Sequence, residues 1–576
     1  MMLRRQETTT SEMRSFIGGE ESGEATDLAS QLPSRLPQQS SLLAAHWSLA
    51  PPQLRYSCAM SRGSPAVFLL MSAALVWVPL ATGADSPWFR IKVVDEATSR
   101  GVPLVELETV NRAGWITDSN GLIAFHEPGL MERPVFFHVR SYGYDFPKDG
   151  FGNAGVTLTP KAGGNEEVKI TRRNIAERLY RITGQGIYRD SVLLGEPVPI
   201  RGPLLNAEVV GQDSAQVAVY GGKVLWLWGD TTRARYPLGH FWMSGATAKL
   251  PGRGGLAPSV GIDLDYFVDT DGFSRPMWPR PEEGLIWADG LVVVPDAAGR
   301  ERLLAHASIV RDVRSIIGHR LSIFNDETST FDNMRDYSMD EKWRCPSGHP
   351  VRHGEHYYFP ASRESHAPFP AVRVRATVED VKTLESYEAF TCLSSGAKFE
   401  GRGTRLERDA TGALVYRWLR DTPPLTAHQE RELIKARTLS AEEARFQPRD
   451  VESGKRPALH AGSVFWNDFR KKWILISVEK GGTSMLGEVW FGEADSLLGP
   501  WPAVRKIITH ERYSFYNPVH HPFLDEEGGR IIYLEGTYSD TFSGAPAATP
   551  HYDYNQIMYR LDLADDRLRF PAPPRE

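Results

Sequence analysis

A loosely repeated unit dominates the chain between residues 205 and 563. Each copy is an apolar strand, a tight turn, a second strand and then one or two more. The copies open with GQDSAQVAVYGGKVLWLWGDTT, LIWADGLVVVPDAAGRERLLAHASIVRD, GHPVRHGEHYYFPASR, HAGSVFWNDFRKKWILISVEK and YNPVHHPFLDEEGGRIIYLEGTYS. A charged, helix-prone insertion at about residues 394–457, containing LTAHQERELIKARTLSAEEARF, interrupts the third and fourth copies. Without it each copy averages roughly 60 residues, a little above the ~40–50 of a usual propeller blade. Short strands repeated radially describe a β-propeller. Five blades is the count the copies give; six is the alternative.

Upstream, residues 88–172 alternate in the β manner, with a Ser-Arg-Gly turn and a Ser-Asn-Gly turn. Some six short strands in about 85 residues imply a small β-sandwich. Residues 173–204 read as a linker with a short helical stretch and a Pro-rich part. The expected fold is therefore all-β: a small N-terminal sandwich, then a five-bladed propeller with a helix-prone insertion. Residues 1–59 are polar and aperiodic, and are expected to be a disordered or non-native extension. Residues 60–84 carry one positive charge (Arg62), an apolar run from Ala66 to Leu80 and small residues before Asp85. That is the pattern of a signal peptide starting at Met60 and cleaved after Ala84, and it implies a secreted or periplasmic protein. The run is short for a transmembrane span. An uncleaved anchor is the alternative, and no stable membrane insertion is expected after cleavage.

The balance of 66 Lys+Arg against 72 Asp+Glu leaves a formal charge of −6. No basic excess is available to neutralise a phosphate backbone, so a dedicated nucleic-acid partner is not expected. Cys345 and Cys392 are the two cysteines beyond the signal segment. They allow one bridge or two free thiols, but no Cys-x-x-Cys metal or redox motif. No cofactor and no metal ligand set is expected; a structural or central metal ion is the alternative, with His520-His521 as a pair able to ligate one. There is no P-loop, no Gly-x-Ser-x-Gly elbow and no complete dinucleotide fingerprint.

In a hairpin the start of the first strand and the end of the second share one edge. Applied copy by copy, this rule gathers candidate residues on one face. The first copy gives Asp213 and Asp230. The second gives Trp287 and Asp289, then Arg311 and Asp312. The third gives His349, then Arg363 and Glu364, and the fourth His460, then Glu479 and Lys480. The fifth gives Asn517 and His520, then Glu535 and Tyr538, with Tyr516 beside them. A lone Asp after a strand is ordinarily a turn residue or a cap, and a His pair ordinarily packs or bonds to backbone. Aromatics at these places can equally fill gaps between blades. The set is informative; each member alone is weak.

Two stretches carry family resemblances. VVDEATSRGVPLVELE, TDSNGLIAF, VRSYGY and VTLTP are similar to the transthyretin-like, carboxypeptidase-regulatory-type sandwich. GQDSAQVAVYGGKVLWLWGDT, GEVWFGEADSLLGPW, FYNPVHHPFLDEEGGRIIYLEGTYS and YDYNQIMYRLDL resemble the five-bladed β-propeller glycoside hydrolases. That wide group includes arabinanases, xylosidases, fructan-cleaving enzymes and endo-D-arabinanase-type propellers. The resemblance covers about residues 205–563. It implies a pocket on one face with carboxylates from different blades, and puts Asp213 at the first-blade acidic position. No Arg-Asp-Pro motif accompanies Arg311-Asp312, against a fructan-cleaving subtype.

Glycosidic cleavage needs one carboxylic acid to protonate the leaving oxygen and a second carboxylate as base or nucleophile. Asp213, at the start of an innermost strand, is the expected base or nucleophile. Glu479, behind an apolar strand, is the expected acid. Asp230 is a third carboxylate that can tune the pair. Trp287, Asp289, Arg311, Arg363, His460, Tyr516, His520, Glu535 and Tyr538 are the expected substrate-binding residues, with a carbohydrate as partner. Two alternatives remain at the sequence level. One is a non-catalytic carbohydrate- or protein-binding propeller. The other is a polysaccharide lyase with His460 or Tyr538 as base and Arg363 neutralising a uronate.

Overall fold

The computed structural model describes residues 86–571, apart from residues 241, 313–314 and 362–366 and the side chains of 236–240 and 341. The extension at 1–59 and the signal peptide at 60–84 lie outside the described residues. The fold is all-β. No helix among the described residues is long and apolar enough to cross a membrane.

Two four-stranded sheets come first. One has the order Leu122–Phe125, Phe89–Asp95, Asn165–Arg172, Tyr144–Asp145; the other Gly114–Ile116, Glu106–Thr109, Val135–Arg140, Gly155–Leu158. Alternation drives the pairing. In Val135–Arg140 the residues Val135, Phe137 and Val139 are buried and Arg140 is exposed. They share one core with Ile91, Val93, Leu107, Ile123 and Phe125, and the rings of Phe125 and Phe137 meet edge-on at 5.3 Å. Gly121 closes the Ser-Asn-Gly turn at φ +74°, where an added Cβ would lie 2.5 Å from the Val93 carbonyl. Only glycine fits there.

A small three-stranded sheet (Val209–Gln212, Thr231–Arg233, Tyr236–His240) and five larger sheets follow, the larger ones antiparallel except where Arg449–Asp450 runs parallel to Ala503–Thr509. The first strands of the five larger sheets, each at one edge, are Gln216–Tyr220, Leu285–Pro295, Val351–His353, Leu459–Asn467 and Ser514–His520. Their second strands are Lys223–Trp228, Glu301–Asp312, His356–Pro360, Lys472–Glu479 and Ile531–Ser539. The last sheet is completed by Glu177–Arg181, which pairs antiparallel with Asn555–Asp562. A strand from before the first sheet thus closes the last one.

This corrects the linker expected at 173–204. Its short helical stretch is present, as Arg189–Leu193, but Glu177–Arg181 is a strand buried at every residue. The Glu-Arg-Leu-Tyr-Arg sequence hid it, because both faces are covered and its charges are buried with it. Glu177 pairs with Arg560 at 2.6 Å, and the Arg181 guanidinium lies 4.7 Å from the Tyr552 ring centre. The insertion holds the helix Ala427–Lys435, started by a Thr426–Gln429 capping box, and a small core around Leu393, Leu425 and Leu433. It does not stand wholly outside the sheets. Arg417–Leu419 extends the third and Arg449–Asp450 the fourth. Cys345 and Cys392 are buried in separate clusters, with no disulfide between them.

Candidate functional site

Residues from all five sheets line one cavity of about 270 Å³. The first sheet contributes Asp213, Gly229 and Asp230, and the second Trp287 and Asp289. The third contributes His349, the fourth His460, and the fifth Tyr516 and Asn517.

Asp213 sits between the strands Val209–Gln212 and Gln216–Tyr220. The Tyr554 hydroxyl donates to its Oδ2 at 2.9 Å and the Tyr516 hydroxyl at 3.2 Å. The Asp230 backbone N–H is a third donor. Gly229 gives the carboxylate room, since a Cβ there would fall 2.0 Å from Asp213 Oδ1. Burial pushes the Asp213 carboxyl up to about 6, against the pull of the two tyrosines. Asp230 is the more perturbed. Burial first, and then the charge of Asp213, hold it well above the usual carboxylate range. Its Oδ1 is buried with no hydrogen-bond partner among the described residues. The two carboxyls therefore titrate as a coupled pair. Both carboxyls are raised, Asp230 the more, and the three donors around Asp213 favour its ionised form.

The backbone around this pair is strained. Ser214 and Asn517 have φ of +30° and +49°, and the Asn517 amide donates to Ser214 Oγ at 2.7 Å. Non-glycine residues hold such angles only where their surroundings over-determine them, and they cluster at functional sites. From the second sheet, Asp289 Oδ1 accepts the N–H groups of Gly348 at 2.6 Å and Gly290 at 3.1 Å. Asp289 is therefore fixed as a third carboxyl of the cavity. Burial and then neighbouring His521 lower His349 to about 3, so this wall of the cavity is neutral.

Asp213, Asp230, Trp287, Asp289, His460 and Tyr516 are thus brought to one cavity. Other expected residues are not. Glu479 accepts from Trp490 Nε1 at 2.9 Å, is half-buried, and is not among the cavity-lining residues. Glu535 is fully buried against His521 Nε2 at 2.7 Å, because its strand runs on to Ser539 and leaves it mid-strand. His520 is buried on Asp525 at 2.8 Å. The Tyr538 ring stacks on Tyr513 at 4.1 Å. Arg311 is exposed and pairs with Glu283 at 2.7 Å. Arg363 lies outside the described residues, as does Glu364. No group of three His, Cys, Asp or Glu among the described residues is placed to hold a metal ion.

Tyr554, Leu486, Phe542 and Met243 also line the cavity. All four lie between the second and third strands of their sheets. The hairpin rule as applied stopped at the second strand, yet the link that follows it opens on the same edge. A larger cavity of about 420 Å³ lies around Val224, Ala248 and Phe523. Its acidic residues Asp263 and Asp265 are both neutralised by Arg201, so it carries no comparable chemistry.

No family model matches the chain, and a search of curated proteins finds no match. Among solved structures, an exo-β-1,3-galactanase from Phanerochaete chrysosporium is similar at 9% identity and a TM-score of 0.33, over 62% of this chain and 61% of that one. The chain thus spans about three-fifths of that enzyme's length. An α-L-arabinanase from Penicillium chrysogenum is similar at 13% identity and a TM-score of 0.31, over 67% and 99%. An α-L-arabinofuranosidase from Fusarium graminearum is similar at 12% identity and a TM-score of 0.31, over 68% and 99%. At these values the likenesses bear on no individual residue of the site.

Proposed function

We propose that the five sheets are the blades of one propeller behind an N-terminal sandwich, and that the chain is an exported glycoside hydrolase. The observation that carries the reading is the buried Asp213–Asp230 pair, whose carboxyls are raised to different extents by their surroundings, in a cavity that also holds Asp289. Environments that push two carboxyls apart in proton affinity assign acid and base roles. Asp213 acts as the base that activates water, or as the nucleophile on the anomeric carbon. Asp230, the more raised of the two, delivers its proton to the leaving oxygen as the glycosidic bond breaks. Asp289 and Asn517 orient sugar hydroxyls, and Trp287 and Phe542 offer apolar faces to the ring. Glu479 has no part in this reading, because Trp490 holds it elsewhere.

The test is a polysaccharide and oligosaccharide panel with the chain and its Asp213→Asn variant. Release of reducing ends by the chain, lost in the variant, supports hydrolysis. An unsaturated product would transfer the site to lyase chemistry. Sugar binding without turnover in either protein would reduce it to a binding module.

A further inference from the structure

Tyr554 reaches Asp213 from a segment under unusual constraint. His551 and Tyr554 have φ of +63° and +61°, and Tyr552 between them is fully buried. Left-handed backbone at two non-glycine residues persists only where something clamps it; the Gln212 N–H holds the Tyr554 carbonyl at 2.7 Å, Gln185 Oε1 lies 2.8 Å from His551 Nδ1, and the N-terminal sheet pair holds Tyr552 between them. The Tyr552 hydroxyl donates to the Thr117 carbonyl at 2.7 Å. Thr117 is itself locked, its side chain donating to the Val102 carbonyl at 2.8 Å. Tyr142, from the same sheet pair, lies 5.6 Å from the Tyr513 ring. The Tyr513 hydroxyl donates to Asp553 at 2.8 Å and accepts from the Thr549 N–H at 2.9 Å.

We propose that the N-terminal sheet pair is a working part of the cavity rather than a spacer: through Thr117 and Tyr142 it holds residues 549–555 and so seats the Tyr554 hydroxyl on Asp213. Tyr552 is then a positioning residue. Without its hydroxyl, the Thr117 carbonyl keeps only the Leu104 N–H at 3.2 Å, residues 551–554 lose their tie to the sheet pair, the two strained residues relax, and Asp213 loses one of three donors. The other titratable groups around Asp213 are Asp230 from the first sheet, Tyr516 from the fifth, and Asp289, His349 and His460 across the cavity. None of them is touched by the change.

The inference rests on Asp213 being the reactive carboxylate, but its test needs no substrate. The difference in thermal stability between a protein and its Asp213→Asn derivative, followed from pH 4 to 8, reports the apparent titration of the pair. It is measured in the parent and in Tyr554→Phe, Tyr552→Phe and Tyr180→Phe backgrounds. Tyr180 is a control, a buried tyrosine whose hydroxyl donates to the Pro258 carbonyl at 2.6 Å. Tyr554→Phe moves the midpoint up, and Tyr552→Phe moves it the same way by about 0.5 pH unit or more, while Tyr180→Phe leaves it in place. Should Tyr552→Phe not fold, Tyr142→Leu at the partly buried end of the clamp is read instead, with the same upward shift expected. A midpoint that moves with Tyr554→Phe but stays put with Tyr552→Phe and Tyr142→Leu overturns the proposal. Shifts as expected in a chain that hydrolyses nothing would uphold it and refute only the glycosidase reading.

Discussion

Replacing Asp213 by Asn should remove the proposed hydrolysis and raise stability together. The carboxyl is pushed up to about 6 in the fold, against roughly 3.9 in an unfolded chain. In that window the folded protein binds the extra proton, so its stability is fullest below pH ~4 and falls as pH rises through ~6. About two units at 1.36 kcal/mol each make a penalty of ~3 kcal/mol at neutral pH. Asp213 keeps some exposure at the cavity wall, which makes this figure a ceiling. Asparagine is nearly isosteric, its amide oxygen can still accept from Tyr516 and Tyr554, and it carries no charge to desolvate. For ~490 residues an unfolding entropy near 1 kcal/mol/K converts the gain to about 3 °C at pH 7. Differential scanning calorimetry from pH 4 to 8 should show that gain shrinking to nothing at the acid end. Hydrolysis should fall by about 10²–10⁴-fold, the usual worth of a positioned base. A variant no more stable at pH 7 than at pH 4 would refute the buried-anion argument. Full activity would refute the catalytic one.

Gly229→Ala places a methyl on the Asp213 carboxylate at 2.0 Å; the side chain can swing away, so turnover should drop by about 10-fold or more with little loss of melting temperature. Glu479→Gln should leave turnover within about twofold, its free-energy effect falling in the ±0.5 kcal/mol range of non-critical sites; a loss above 100-fold would return Glu479 to the acid role. Asp230→Asn should cost less on a nitrophenyl glycoside than on a natural glycan, since a good leaving group needs no proton. If Glu364→Gln shows that dependence and Asp230→Asn does not, the proton donor belongs to the third copy, where the hairpin rule sends Glu364. Burial lowers His349 and His521 to about 3, so each contributes stability that is whole above pH ~6.5 and is lost as pH falls towards 3. Stability should decline by up to about 2.7 kcal/mol per pH unit for the two histidines together, and His521→Gln should flatten that slope in pH-dependent denaturant unfolding.

What the sequence revealed and what it hid follow from one physical distinction. Where a strand ends at a polar break, as in Trp-Leu-Trp-Gly-Asp, the chain itself marks the edge of the sheet, and Asp213 and Asp230 could be read from it. In Ile531–Ser539 no such break exists. The run Leu-Glu-Gly-Thr-Tyr-Ser continues as strand, buried at every residue, so Glu535 looked terminal when it is internal. Glu479 is placed differently. It does end its strand, opposite Leu459, but strand residues alternate between faces, and its parity turns it onto Trp490. An end is legible from local pattern; a side chain's direction at that end depends on the register between strands, where a shift intervenes between Leu459 and Gly462. Tyr554 depends on still more distant partners. Its seat on Asp213 requires a strand from before the first sheet, a left-handed turn and the carbonyl of Thr117, more than 430 positions away along the chain. No window on the sequence spans that distance. The candidates nearest to strand ends, with Tyr516 beside them, were therefore visible, while Tyr554 on the far side of Asp213 was not.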